Sequence, residues 1–182
     1  MEYTLDLREI NLDGDLLDIG KENYGIIYNL KKNMDDEISV DYYSDSKTIA
    51  EEEKVFYDGA VLFFTMGKIY TNSERRGIIK HVWDLIKDDG YLYIWDYDKK
   101  SKEIVNAKIN VLLPGEKTKS FKYRDLNPIN QLNIDLLKKV VESYFEIEKV
   151  DFYDKIYFVK AKRRERTADE NIINRGKFKI HT

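Results

Sequence analysis

Residues Leu16-Leu17-Asp18-Ile19-Gly20 place a carboxylate and then a glycine at the end of an apolar run, and a second acid, Asp41, stands about twenty residues further on. In an open α/β sheet, small molecules settle outside the carboxyl ends of the strands. There a glycine lets the backbone come close and an acid can hold ribose hydroxyls. The spacing therefore points to a nucleotide-type ligand. Asp18 enters a turn after two buried leucines, a setting explained by a ligand contact or a loop hydrogen bond. The turn itself, Gly20-Lys21-Glu22-Asn23-Tyr24-Gly25, has Glu22 and Tyr24 where a fully glycine-rich loop would keep the approach clear. Tyr24 either fills the ligand volume or packs harmlessly under the following helix. A Glu22 carboxylate facing a ligand carboxylate at about 5 Å costs roughly 3 kcal/mol at an effective dielectric near 20. Facing an ammonium, it would attract. Gly20 and Gly25 do not reproduce the dinucleotide fingerprint, and Gly25 is followed by Ile26-Ile27, not by the Lys-Ser/Thr of a phosphate loop.

Other chemistries are thinly provided for. The chain has no cysteine and two histidines, which excludes thiol catalysis, disulfides and cysteine-ligated zinc and leaves little for a histidine metal site. His81 sits among Lys80, Val82 and Trp83 on a helical pattern and is read as a surface or packing residue. The tyrosine pairs Tyr42-Tyr43 and Tyr91-x-Tyr93 could stack a ligand, but strands favour tyrosine in any case. Net charge is −3, unevenly placed: residues 160–182 hold eight basic and three acidic side chains, so the body is acidic. Phosphate-backbone affinity needs clustered Lys and Arg, so only the stretch from Lys160 to Arg166 could serve nucleic acid, and a solvated terminus explains it as well. No apolar run approaches the eighteen or so residues of a membrane span, and no signal segment opens the chain. A cytoplasmic protein of one domain is expected.

The elements that must position Asp18 and Gly20 alternate strand and helix, as in a parallel sheet with crossover helices. Residues 16–19 form the first strand. Asn23 caps a helix with Ile26, Ile27, Leu30 and Met34 on one face, and a strand over 38–40 ends at Asp41. Residues 42–54 offer room for one short helix and no evident strand. Residues 60–64 are apolar throughout, as a strand buried on both faces displays. Thr71-x-x-Glu74 is a capping-box pattern opening a helix with Ile78, Ile79, Val82, Leu85 and Ile86 at helical spacing. It ends at Gly90, where positive φ is expected, and a strand over 91–95 follows, closed by Asp96. Residues 104–125 alternate through Ile109, Val111 and Leu113, turn at Pro114-Gly115, and alternate again at Phe121 and Tyr123, an antiparallel hairpin. A helix over 134–144 capped by Asn133 and two strands over 145–150 and 156–161 complete the domain, 1–162. Residues 163–182 form a basic arm or tail. Hairpin and arm are both candidates for self-association, since an apolar hairpin face must be covered.

Together, the Leu16 to Gly20 turn, the strand ending at Asp41, Tyr57-Asp58-Gly59 before a central strand, the run from Ile86 to Tyr91 and a terminal strand pair resemble a small class I S-adenosylmethionine-dependent methyltransferase over roughly residues 10–162. The resemblance implies a Rossmann-like, three-layer αβα fold. Its seven-stranded sheet would be mostly parallel with the last strand antiparallel, and the cofactor would bind over the first strands. Carried over, Asp18 and Gly20 are the acid and first glycine of the cofactor loop, with Lys21 beside them. Asp41 holds the ribose, Tyr42 flanks the adenine, and Thr65, Met66 and Gly67 lie near donor and acceptor. An Asn/Asp-Pro-Pro-aromatic signature after Phe64 is absent, which favours a small-molecule acceptor over a nucleobase. No metal is expected. The alternative is a methyltransferase-like binding or regulatory module without catalysis. A dinucleotide oxidoreductase comes third.

Overall fold

The structure, a computed structural model, describes residues 1–22, 24–32, 40–43 and 57–165, without the side chains of Tyr42 and Tyr43. The cap expected at Asn23, Met34, the start of the second strand, the short helix within 42–54 and the tail beyond 165 lie outside the described residues. In chain order the elements are β1 (Glu2–Asp6), β2 (Leu16–Ile19), α1 (Ile26–Lys32), β3 (Val40–Tyr43), β4 (Tyr57–Phe63), a 3-10 turn (Met66–Lys68), α2 (Asn72–Leu85), β5 (Ile86–Tyr97), β6 (Val105–Leu113), β7 (Lys117–Asp125), α3 (Ile134–Val141), β8 (Phe145–Tyr153) and β9 (Ile156–Arg163).

The apolar run after Asp58 lies at the sheet centre, where both faces of the strand are covered. β4 pairs in parallel with β2 on one side and β5 on the other, in the order β3-β2-β4-β5-β9-β8, and β9 runs antiparallel to both β5 and β8. The fold is thus mixed α/β with a mostly parallel sheet. Six strands of it fall among the described residues.

Alternation along each strand divides the core in two. Leu17, Ala60, Leu62, Leu92 and Ile94 face α2 and α3, while Leu16, Val61, Phe63, Tyr93 and Trp95 face the other layer. That second layer is shared between α1 and a small sheet, β1-β6-β7, so the helical layer of the expected αβα sandwich is partly replaced by strands. The hairpin's alternating residues, Val105, Ala107, Ile109, Val111 and Leu113, turn inward and are buried. The apolar face proposed for self-association is therefore covered within the chain.

Several element bounds differ from the sequence reading; β4 spans Tyr57–Phe63 and β8 runs on to Tyr153. β1, unassigned in the sequence, pairs in parallel with β6, Leu5 beside Val111. β5 begins at Ile86, and Gly90 lacks a positive φ. A Cβ at Gly90 would stand 2.9 Å from the Asp58 carbonyl oxygen, so a close backbone approach explains the glycine. α3 stops at Val141. The arm's first two arginines belong to the fold: Arg163 is buried, donates to the Trp83 carbonyl at 2.8 Å and pairs with Asp88, and Arg164 donates to the Phe145 carbonyl at 3.0 Å.

Candidate functional site

β2 carries four buried residues straight to Gly20. Asp18 lies beside Val61 in the register, hence toward α1. It is 8% exposed, and its carboxyl has no hydrogen-bond or ion-pair partner among the described residues. Burial alone pushes its carboxyl up to about 7. Gly20 follows because β2 and β4 end close together. A Cβ there would stand 2.9 Å from the Thr65 hydroxyl, which donates to the Ile19 carbonyl at 2.9 Å.

An open cleft of about 260 Å³ lies beyond these strand ends. Gly20, Lys21 and Glu22 border it from β2, and Phe63, Phe64 and Thr65 border it from β4. Lys68, Ile69, Tyr70 and, from α2, Ile78 form its far side. Phe64 turns the chain out of β4 with φ 51°, a left-handed conformation that costs a bulky residue about 1–3 kcal/mol. It is held by its N–H on the Trp95 carbonyl at 2.7 Å and by ring contacts with Phe63, Phe121 and Tyr123.

Tyr24 does not wall this cleft. Its ring stacks on Phe121 of β7, centroids 4.1 Å apart, and meets Phe63 edge-on at 6.4 Å. Its hydroxyl donates to the Glu22 carboxylate. The Lys119 ammonium donates to the carbonyls of Tyr24 at 3.1 Å and Gly25 at 3.4 Å. Gly25 has φ 61° and leaves no room for a Cβ beside that ammonium, 2.9 Å away. The loop is latched to the hairpin, a third outcome beyond the two foreseen for Tyr24.

Behind the cleft, the 3-10 turn is held by buried polar groups. Asp96, at the end of β5, accepts from the amides of Gly67 at 2.7 Å and Tyr97 at 2.8 Å. Burial raises its pKa to about 6 against the pull of those donors. A Cβ on Gly67 would strike the Tyr123 hydroxyl. Asn130 donates to the Gly67 carbonyl at 2.8 Å and to Asp125 at 2.6 Å, and Asp125 pairs with Lys99 at 2.8 Å.

Of the residues singled out in sequence, Gly20, Lys21 and Thr65 meet at the cleft. Asp18 lies just short of its lining. Met66 is buried against α2 and α3. β3 runs on to Tyr43, so Asp41 does not end the strand; its carboxylate accepts from the Tyr57 hydroxyl at 2.7 Å, and it is not one of the residues that line the cleft. The Tyr42 side chain lies outside the described residues. The sequence reading missed Phe64, Lys68 and Tyr70 as walls and the Lys99, Asp125 and Asn130 set behind them. The Asn127-Pro128-x-Asn130 turn was their one visible signal. Among the described residues no group of three acids or histidines could hold a metal, and no helix is long and apolar enough to cross a membrane.

Asp18 makes a pH prediction. Its folded pKa, about 7, exceeds the ordinary value near 4, so its contribution to stability is complete at low pH and is lost as pH rises to 7. Asp18→Asn should match the parent protein at pH 4 and exceed it by up to ~4 kcal/mol at pH 8. Urea unfolding at both pH values checks this, and a pH-independent difference contradicts it.

No protein-family model and no curated protein sequence matches the chain. Solved structures do. A SAM-dependent methyltransferase from Methanosarcina mazei is 15% identical with TM-score 0.56, over 89% of this chain and 100% of that one. The CcbJ methyltransferase from Streptomyces caelestis is 10% identical with TM-score 0.58, over 84% of each. CalS10, an amino pentose methyltransferase from Micromonospora echinaspora with SAM bound, is 12% identical with TM-score 0.50, over 83% of this chain and 84% of that one. At these identities the likeness is one of fold, and that fold is the Rossmann-like one of SAM-dependent methyltransferases.

Proposed function

We propose that the chain binds S-adenosylmethionine in the cleft beside Gly20 and transfers its methyl group to a small-molecule acceptor. The observation that carries this reading is the open volume between the ends of β2 and β4, with the Tyr24 ring drawn away onto Phe121. The donor set suits the cofactor: Lys21 and Glu22 bring opposite charges to one rim, fitting the carboxylate and ammonium of an amino-acid end. Phe63, Phe64, Ile69 and Ile78 offer apolar walls. When bound, the cofactor supplies an activated methyl group on a cationic sulfonium. The chain's part is to position and to keep water out. Gly20 admits the ligand close to the backbone, and Thr65, tied to the Ile19 carbonyl, holds the two strand ends at fixed separation. Phe64, Lys68 and Tyr70 bound the acceptor side. Asp18, Asp41 and Tyr42 are proposed as further cofactor contacts, Asp18 because its buried carboxylate would gain a partner in the ammonium, whereas Met66 is taken up by the core.

Calorimetric titration with S-adenosylmethionine and S-adenosylhomocysteine tests the reading. Saturable binding is expected, weakened at least tenfold by Gly20→Leu, a loss of about 1.4 kcal/mol or more. No heat at millimolar ligand from folded protein contradicts it. Glu22 on the rim favours a second reading, a binding module without catalysis. Transfer of labelled methyl into any cell-extract component, abolished by Asp18→Ala, would count against that module.

A further inference from the structure

A second cavity, about 170 Å³, adjoins the first, and the Tyr70 side chain, 66% exposed, lines both. Asn72 and Arg75 of α2, Ile129 and Gln131 of the loop before α3, and Leu136 complete its walls. Arg75 is 2% exposed, and its guanidinium donates only to neutral acceptors: the Met66 carbonyl at 3.3 Å, Asn72 Oδ1 at 3.0 Å and Asn130 Oδ1 at 3.1 Å. Three of its five N–H donors are thereby spent. No carboxylate comes within ion-pair distance of it among the described residues. Asp125 is taken by Lys99 and Asp96 by the amides of Gly67 and Tyr97, so both act on Arg75 only through space. A buried cation without a directly paired counter-charge is costly, and the planar guanidinium fork matches the paired oxygens of a carboxylate or phosphate. The remaining polar walls, Asn72, Gln131 and Tyr70, all carry donors, and no acid lines the cavity.

We propose that this second cavity receives the anionic group, a carboxylate or a phosphate, of the methyl acceptor. The proposal rests on the reading of the first cleft as the methyl donor's site. With its anion on Arg75, the acceptor extends past Tyr70 toward Gly20 and Thr65 and covers Ile129, an isoleucine left 86% exposed at the rim.

Titrations of the full chain with inorganic phosphate, acetate and neutral glycerol, read by backbone amide shifts, test it. Saturable shifts at Asn72, Arg75 and Gln131 are expected with the two anions and none with glycerol. Arg75→Met should abolish them and Arg75→Lys weaken binding at least tenfold. Gln131→Leu, an exposed change that leaves the fold intact, should weaken it several-fold. Absence of local saturation, or parent-like binding by Arg75→Lys, overturns the proposal. S-adenosylmethionine is followed separately at the Gly20 and Thr65 amides. Anion shifts without cofactor shifts overturn the acceptor assignment and the donor-site reading together, while cofactor shifts without anion shifts overturn the anion proposal alone.

Discussion

Lys99→Met is expected to lower the unfolding free energy by about 3–5 kcal/mol, because it strands the Asp125 carboxylate in a site from which water is excluded. Lys99 is 2% exposed, pairs with Asp125 at 2.8 Å and donates to the Asn127 carbonyl at 2.6 Å. In a chain of this size the loss corresponds to a drop in melting temperature on the order of 10 °C. The double change Lys99→Met with Asp125→Leu removes both charges and should recover a large part of the loss, since desolvation then no longer opposes folding. Thermal unfolding of the three proteins checks this. A single variant within about 1 kcal/mol of the parent would show that the pair does not hold the wall behind the cleft.

Phe121→Ala is expected to cost a similar amount, about 3–5 kcal/mol, through the cavity it leaves beneath three aromatic rings. Phe121 stacks on Tyr24 and meets Phe63 at 5.9 Å and Phe64 at 5.1 Å, so one substitution loosens both sides of the cleft. Its effect therefore reaches beyond stability. Cofactor affinity should fall at least tenfold even at temperatures where the variant stays folded. Tyr24→Phe, which keeps the stack and loses the exposed hydroxyl bond to Glu22, should change stability by less than about 1 kcal/mol. Unfolding in urea alongside ligand titration separates the two effects. Unchanged affinity in folded Phe121→Ala would mean that the latch does not shape the site.

What the sequence made legible was local. The alternation of Ile109, Val111 and Leu113 disclosed the hairpin, and the Thr71 to Glu74 box opened α2 where expected: Thr71 accepts from the Glu74 amide at 3.1 Å. The approach of Gly20 to Thr65 followed from strand ends that a parallel sheet must bring together. Contacts distant in sequence were hidden. Tyr3, Leu5 and Leu7 alternate plainly, but their partner strand lies some hundred residues away, and five residues alone do not declare a strand. The orientation of Tyr24 depends on Phe121 and Lys119, far downstream and on another sheet. Arg75 reads as one more charge on a helix, and only the fold brings Asn130 to it while leaving every carboxylate among the described residues beyond ion-pair distance.

The central claim is that the volume beside Gly20 admits an adenosyl ligand, and a crystal structure grown with S-adenosylhomocysteine tests it most directly. The account predicts ligand density between Gly20 and Thr65, with the Tyr24 ring still stacked on Phe121. A cleft filled by the Tyr24 or Phe64 ring, with no ligand at millimolar concentration, would contradict it.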